Sequence, residues 1–512
     1  MHWADSFAKE ITETRQKDRF VVESGITPSG IVHIGNAREI MTQYFVHRAL
    51  LDLGRKSTFQ YVWDDFDRFR KVPSGVPESF GAHLGLPVSR VPDPFGCHKT
   101  YADHYKEGLV KELKLIGVET EFISAAELYG KCKFAENIKT ALEKTEEIKK
   151  VLNAARAEVL TPEWLPVTVY CEKCGKDNTK VKYPGGYEIE YSCECGFSNK
   201  IDFRKVGIVK LKWRVDWPSR WAYFGVDFES AGKDHMASGG SWDTGTLISK
   251  EVFGYEPPVG TMYEFIYLKG QEEKMSKSKG NVATLTTLLE IYEPEVVRFM
   301  YTQRLKKAVF VPFDTDIYSI YDSFDCAEKG HYGLAESEDE TKRRYELSRL
   351  ENYERCPVRI SFSELVNLLQ TVSPDKLQDQ AEALLKQKDS QADFSDLGRA
   401  LSRMDKARFW LENYAPKDMQ LSLIEEPVSL DEPQKLLLKQ IAENIIGLDG
   451  EEEILNVTYE TIKSAGLKPK EMFTFLYRTL IGKDRGPRFG VLVLILGREK
   501  VVERLRELSE CQ

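Results

Sequence analysis

Apolar positions in the first 75 residues switch between two periods. Phe20 to Glu23 opens with the run Phe20, Val21, Val22 and reads as a short strand. From Asn36 to Leu53 the apolar residues Ile40, Met41, Tyr44, Phe45, Ala49, Leu50 and Leu53 recur at helical spacing and stop at Gly54. Ser57 to Trp63 alternates again through Phe59, Tyr61 and Trp63, which predicts a second strand. Ahead of them Ala4 to Lys17 is polar and helix-prone. Strand, glycine turn, helix and strand make a βαβ unit, the opening of a parallel nucleotide-binding sheet.

Residues 76–205 break that rhythm with Pro/Gly punctuation, helical stretches and a cysteine-rich ribbon, so they read as an insertion. Strand-like patterning resumes at Val206 to Leu211 and at Tyr263 to Leu268. Beyond about Glu290 the chain is helix-rich, with acidic stretches at Glu336 to Glu340 and Asp449 to Glu453. Val491 to Leu496 fits a buried strand by composition, while its neighbours favour a helix.

At 512 residues the chain is too long for one core, and several domains are expected. With 42% hydrophobic and 30% charged residues it has the make-up of a soluble globular protein. No apolar run approaches the roughly 20 residues of a membrane span, and the start MHWADSFAKE lacks the apolar core of a secretion signal. Nine cysteines, four of them in tight pairs, read as cytoplasmic thiols plus metal ligands rather than as a disulfide framework. A net charge of −9 argues against indiscriminate nucleic-acid binding. Between Gly466 and Arg506, however, ten Lys/Arg stand against four acids, a candidate phosphate-facing surface.

Two motifs carry chemistry. TPSGIVHIGN, Thr27 to Asn36, joins a strand to a helix N-terminus, where free N–H groups and the positive end of the dipole meet. Gly30 and Gly35 let the backbone approach a ligand, and His33 and Asn36 are donors three residues apart. Such a turn is an anion site by construction, although a tight turn with a satisfied histidine has the same letters. KMSKSKGN, Lys274 to Asn281, follows about 240 residues later and places three lysines on a Gly/Ser loop. Mobile ammonium groups suit a triphosphate whose charge moves during reaction.

Two clusters have metal-ligand chemistry. Cys171 and Cys174, with Cys193 and Cys195 across an 18-residue spacer, are each followed by a glycine and fit a tetrahedral zinc ribbon. The second pair has one intervening residue rather than the commoner two. Asp93, Cys97, His98 and His104 supply four N/O/S donors within twelve residues, types that suit zinc at an uncommon spacing.

TPSGIVHIGN resembles the HIGH motif, and KMSKS is letter-perfect, so the chain resembles a class I aminoacyl-tRNA synthetase. Within that class it is similar, over nearly its full length, to the lysyl synthetases of archaea and bacteria. WDDFDRFRK (Trp63 to Lys71), WRVDWPSRW (Trp213 to Trp221), SAGKDHMASGGSWDTG (Ser230 to Gly245) and both metal-like clusters carry that likeness. GKDRGPRFGVLVLILGREKVVERL, Gly482 to Leu505, is similar to the tail of the helical anticodon-binding cage of glutamyl enzymes.

The resemblance implies an α/β fold: a Rossmann-type parallel-sheet domain with a zinc-containing insertion, then an all-α anticodon-binding domain. Residues 1–75 and 206–270 would be its two halves, 76–205 the insertion, 271–325 the KMSKS loop and stem-contact region, and 326–512 the anticodon domain. It implies that L-lysine is activated by ATP with Mg2+ and transferred to tRNA(Lys). His33, Asn36, Lys274 and Lys277 would be catalytic. Thr27, Pro28, Ser29, Gly30, Gly35, Asp234, Met275, Ser276 and Ser278 would join them around ATP. Gly25, Thr27, Asp64 or Asp65, Trp213 and His235 would hold the amino acid, and zinc would occupy one or both clusters. The other readings are a glutamate, arginine or cysteine enzyme of the class, or a catalytically silent RNA-binding relative; intact His33 and KMSKS weigh against the last. The HIGH-like motif departs from the family at its final position, Asn36 in place of histidine, which leaves His33 as the only group of the turn that titrates near neutral pH.

Overall fold

The computed structural model describes residues 1–270, 283–424 and 430–510. Contacts divide the chain into two compact units. The first comprises Met1–Leu289, Pro294–Val311 and Gly333–Asn352, and the second Glu290–Glu293, Pro312–Tyr332 and Tyr353–Gln512.

The first unit opens with α1 (Trp3–Thr14), β1 (Arg19–Ile26), α2 (Ile34–Asp52) and β2 (Lys56–Trp63). β1 and β2 pair in parallel from Arg19↔Lys56 to Ile26↔Trp63, as a βαβ unit requires. α2 is buried on nearly every side, including Arg38, Thr42 and Gln43, and so lacks the one-sided apolar stripe of a surface helix. It ends where Gly54, at φ +72°, adopts the left-handed conformation that closes a helix.

After α3 (Tyr101–Leu115), β3 (Glu121–Ser124) joins the other edge of β2, giving the parallel order β1-β2-β3. The insertion continues through α4 (Ala125–Gly130), α5 (Ala135–Glu143) and α6 (Thr145–Ala154). It then forms an antiparallel ribbon of β5 (Thr179–Gly185), β6 (Glu188–Cys193) and β7 (Ser198–Asp202). The expected strand at Val206 to Leu211 is β8 (Val209–Leu211), which pairs antiparallel with β4 (Val167–Val169) instead of extending the parallel sheet. The parallel sheet is rejoined beyond α7 (Trp213–Phe224), where Phe228 bridges in parallel to Val22 of β1 and to Val259. Glu23 N–H donates to the Phe228 carbonyl, and Asp227 N–H to that of Val21. β1 therefore has β2 on one side and the returning chain on the other. The C-terminal end of β1 is the topological switch point, the place where open α/β sheets bind ligands.

The returning chain contributes β9 (Ala231–Gly232), α8 (Ser241–Glu251) and β10 (Met262–Tyr263), with β9 and β10 paired in parallel. The single strand expected over Tyr263 to Leu268 is divided: β11 (Ile266–Leu268) pairs in parallel with β12 (Val309–Val311). The break falls where Glu264 N–H turns to the Leu305 carbonyl.

The second unit has only helices as regular elements among its described residues, with long ones at Ile317–His331, Phe394–Asn413, Glu432–Asn444 and Glu451–Ser464. Leu438, Ile441, Ile454, Ile462, Leu476, Leu480, Leu492 and Leu505 form one buried core in its C-terminal part. Val491 to Leu496 belongs to the helix Phe489–Leu496, whose Gly490 lies so close to the Glu451 carbonyl that a Cβ would meet it at 1.9 Å. Of the ten basic residues after Gly466, Lys468, Arg478, Arg488, Arg498 and Arg504 are ion-paired with acids. Five of the ten thus already have an acidic partner. Among the described residues no helix is long and apolar enough to cross a membrane.

Candidate active site and metal centres

A cavity of about 1060 Å³ opens at the switch point of the first unit. Gly25, Thr27, Ser29, His33, Asn36, Asp64, Trp213 and His235 all line it, so segments from both halves of the first unit meet there. Pro28, Gly30, Gly35 and Asp234 lie outside its lining. Lys274, Met275, Ser276, Lys277 and Ser278 fall outside the described residues.

The spacing of His33 and Asn36 has a local cause. His33 is the N-cap of α2; its Nδ1 accepts from Gly35 N–H at 3.1 Å, and Asn36 Oδ1 accepts from His33 N–H at 3.3 Å. This is a capping box built from histidine and asparagine. Because Nδ1 accepts, neutral His33 carries its proton on Nε2, and because Asn36 uses its oxygen, its amide NH2 is the remaining donor. Gly25 is required near the end of β1, since a Cβ there would meet the Val62 carbonyl at 2.7 Å.

The cavity floor is charged. Asp64, Asp67, Glu39, Glu229 and Arg220 line it, whereas the exposed Arg68, Arg70 and Lys71 form its basic rim. Arg220 Nη1 donates to Asp64 Oδ1, and both side chains are buried. Burial pushes the Asp64 carboxyl up to about 6 even beside Arg220. It raises Glu23, directly behind the floor, to about 7, and Glu39 likewise to about 7. Glu229 is raised well above the carboxylate range by burial and by Glu23, although Trp217 and Trp221 Nε1 both donate to it. Asp67 goes the other way: burial is outweighed by Lys210 at 3.0 Å and by the Thr27 hydroxyl at 2.8 Å. Lys210 also reaches Asp216 at 3.1 Å. Glu39, Asp64, Asp67 and Glu229 thus line the cavity beside one buried cation, Arg220, while Lys210 pairs with Asp67 and Asp216 from outside the lining, so the floor is short of positive charge.

Asp65, expected in the pocket, is turned to other work. Its carboxylate accepts from Ala126 N–H, the Ser124 hydroxyl and the Lys106 ammonium, and it does not line the cavity. Trp213 stacks on Trp217 with ring centroids 5.7 Å apart and lies 5.5 Å from His235. His235 Nδ1 is 2.9 Å from the Ser241 hydroxyl, across a turn so tight that a Cβ on Gly240 would meet the His235 carbonyl at 2.4 Å. Glu39, Arg220 and Glu229 were not singled out by sequence reasoning. For Glu39 a signal existed, as it lies one helical turn beyond Asn36.

The four sulfurs of Cys171, Cys174, Cys193 and Cys195 converge within 4.8 Å of one another. Sγ separations of 3.7 Å (Cys171–Cys195) and 3.6 Å (Cys174–Cys193) match the roughly 3.8 Å edge of a tetrahedron with Zn–S bonds near 2.3 Å. Gly175 and Gly196, at φ +74° and +83°, form the knuckles, their N–H groups donating to the Cys171 and Cys193 carbonyls. Asp93, Cys97, His98 and His104 converge as tightly. Cys97 Sγ lies 3.1 Å from His98 Nδ1, 3.2 Å from His104 Nδ1 and 3.3 Å from Asp93 Oδ2, against roughly 3.5 Å for sulfur–nitrogen edges around zinc. Both donor sets fit a tetrahedral metal.

Comparison with known proteins agrees with this architecture. The family model described as tRNA synthetases class I (K) matches residues 1–351, and that of an anticodon binding domain matches residues 402–509. A lysine–tRNA ligase of Pyrococcus horikoshii is 41% identical, with 99% of each chain covered. That of Thermococcus kodakarensis is 42% identical over 99% of each chain. The lysine–tRNA ligase of Borreliella burgdorferi is 36% identical over 98% of each. With a switch-point cavity behind a HIGH-like turn and matches at this length, the chain belongs to the class I tRNA synthetases of the K family.

Proposed function

We propose that the chain is a lysine–tRNA ligase, which activates L-lysine with ATP and transfers it to tRNA(Lys). End-to-end identity of about 41% to such ligases is the observation that carries this reading. The charge pattern of the cavity supports it: an acid-rich floor suits a substrate with two ammonium groups, and a basic rim suits a polyphosphate.

In this reading the lysine carboxylate attacks the α-phosphate of ATP, giving lysyl-adenylate and pyrophosphate, and the terminal ribose of the tRNA then takes the acyl group. The protein acts by positioning and by neutralising charge. His33 Nε2 and the Asn36 amide donate to the phosphates. Lys274 and above all Lys277 stabilise the departing pyrophosphate, and Mg2+ accompanies ATP as its counter-ion. Asp64, held through one oxygen by Arg220, receives the α-ammonium, and Trp213 packs on the methylene stem. Cys171, Cys174, Cys193 and Cys195 would hold a structural zinc through four protein sulfurs, and Asp93, Cys97, His98 and His104 would hold a second structural zinc with mixed donors. Residues 326–512 bind the anticodon arm, with unstacked bases read by stacking and edge hydrogen bonds.

ATP–pyrophosphate exchange with each of the twenty amino acids, with and without tRNA, tests the activity. Lysine should be preferred, and preference for another amino acid overturns the reading. Lys277→Ala should slow exchange far more than it weakens lysine binding.

A further inference from the structure

The Asp93 cluster lies outside the cavity lining, yet it is connected to the turn at the cavity mouth. Asp93 Oδ2 accepts from Cys97 and His98 N–H at 2.9 and 2.8 Å, so the carboxylate folds its own loop around the ligand set. That loop is closed at its base by the antiparallel bridge Pro92↔Thr100 and by Tyr101 N–H donating to the Val91 carbonyl at 2.9 Å. Thr100 is the N-cap of α3, and Tyr101 is its first residue. His98 and His104 therefore flank Tyr101 at equal distance along the chain, one before the helix and one in its opening turn.

Tyr101 is fully buried. Its ring packs against Phe69 and Tyr105, with centroids 5.2 and 4.9 Å away. Its hydroxyl donates to the Ser29 carbonyl at 2.8 Å, 72 residues back in sequence and inside the HIGH-like turn. Ser29 N–H in turn donates to the Thr27 carbonyl at 2.7 Å, so one anchor sets the path of the turn into the His33 cap.

We propose that Tyr101 is a positioning residue for the nucleotide half of the site, and that metal held by Asp93, Cys97, His98 and His104 acts on ATP through it. The metal fixes the two ends of the loop that presents Tyr101, and the phenol transmits that fixation to the Ser29 carbonyl. The connection meets the floor that faces the amino acid at Thr27, whose hydroxyl donates to Asp67 at 2.8 Å. The inference rests on the reading of Thr27 to Asn36 as the ATP turn.

The test uses full-length protein, with metal content by mass spectrometry, ATP binding by equilibrium dialysis, and separate KM values for ATP and lysine. Tyr101→Phe keeps the ring packing and removes the hydroxyl. It should weaken ATP binding about 3- to 10-fold, the scale of one lost hydrogen bond, with lysine KM within about twofold and metal content unchanged. Cys97→Ala/His104→Ala should lose one metal equivalent and weaken ATP to a similar extent. Adding Tyr101→Phe to it should cause little further loss, because both act along one path. Unchanged ATP binding in Tyr101→Phe, full additivity in the combined variant, or full metal retention without the two ligands overturns the proposal. His33→Asn, which keeps an N-cap acceptor, separates the two readings. If it leaves ATP binding intact, the ATP-turn assignment falls; if it weakens ATP while Tyr101→Phe does not, only the role of Tyr101 falls.

Discussion

The two ends of the cavity are assembled in opposite ways. The HIGH-like end is one ten-residue stretch, Thr27 to Asn36, whose capping box joins residues three apart. The acidic floor is gathered from α2 (Glu39), the end of β2 (Asp64, Asp67), α7 (Arg220) and the segment after it (Glu229), and is backed by β1 (Glu23); its central ion pair spans 156 positions. A site made locally can change without disturbing the fold, since its geometry is set by its own backbone. A buried, charge-deficient site made from five segments is part of the fold, and altering one charge changes the ionisation of the others.

Arg220→Met should have the largest effect. It leaves Asp64 buried without its counter-charge, and breaking such a pair costs about 3–5 kcal/mol. Adding Asp64→Asn should restore more than half of that loss in urea denaturation. A loss below about 1 kcal/mol for the single variant would mean that the floor is no cooperative unit.

At the local end, His33→Asn should lower ATP–pyrophosphate exchange about 100-fold, the scale of one lost transition-state donor. Its unfolding free energy should change by less than about 1 kcal/mol, because asparagine also caps. A comparable fall in stability would erase the contrast between the two ends.

The floor should also leave a signature in pH. Glu23 is raised in the native state to about 7 from a usual value of 4.5, chiefly by burial. The folded protein therefore binds more protons than the unfolded chain between those values. Stability from this group is fully present below about 4.5 and is lost as pH rises through about 7. Glu23→Gln should remove a decline on the order of 2 kcal/mol between pH 5 and 7.5. A variant with the wild-type slope would assign that decline elsewhere.

The smallest effect sharpens the role of Asn36. Asn36→Asp keeps the oxygen that caps His33 and places a negative charge in the first turn of α2. It should stabilise the fold by about 0.3–1 kcal/mol while weakening ATP, because the amide donor has become an acceptor. Equal or tighter ATP binding would show that the Asn36 amide does not face the nucleotide.

The same contrast governs how much of the molecule is legible in its amino-acid sequence. The HIGH-like turn, both metal clusters and the βαβ opening are legible, because each is a pattern over short spacings: a cap, a knuckle, a change of hydrophobic period. Asp65 lies outside the cavity lining while Asp64 lines it, and the sequence could not separate them: three acids crowd one strand end, and nothing in the letters says which carboxylate the neighbouring helix N-terminus will take. The antiparallel pairing of β8 is hidden for a similar reason, since a three-residue apolar run carries no information about its partner.

Residue order alone marked out the chemistry class, the HIGH-like turn and two candidate sets of metal donors. It did so because those features depend on residue type and on neighbours within one turn or one loop. The folded chain alone reveals that Arg220 pairs with Asp64, that Glu39 and Glu229 join the floor, and that the Tyr101 hydroxyl reaches the Ser29 carbonyl. Those relations depend on which distant segments share a low-dielectric interior. There the value of a charge or a hydrogen bond is set by what lies within a few ångströms, not by what lies nearby in the chain.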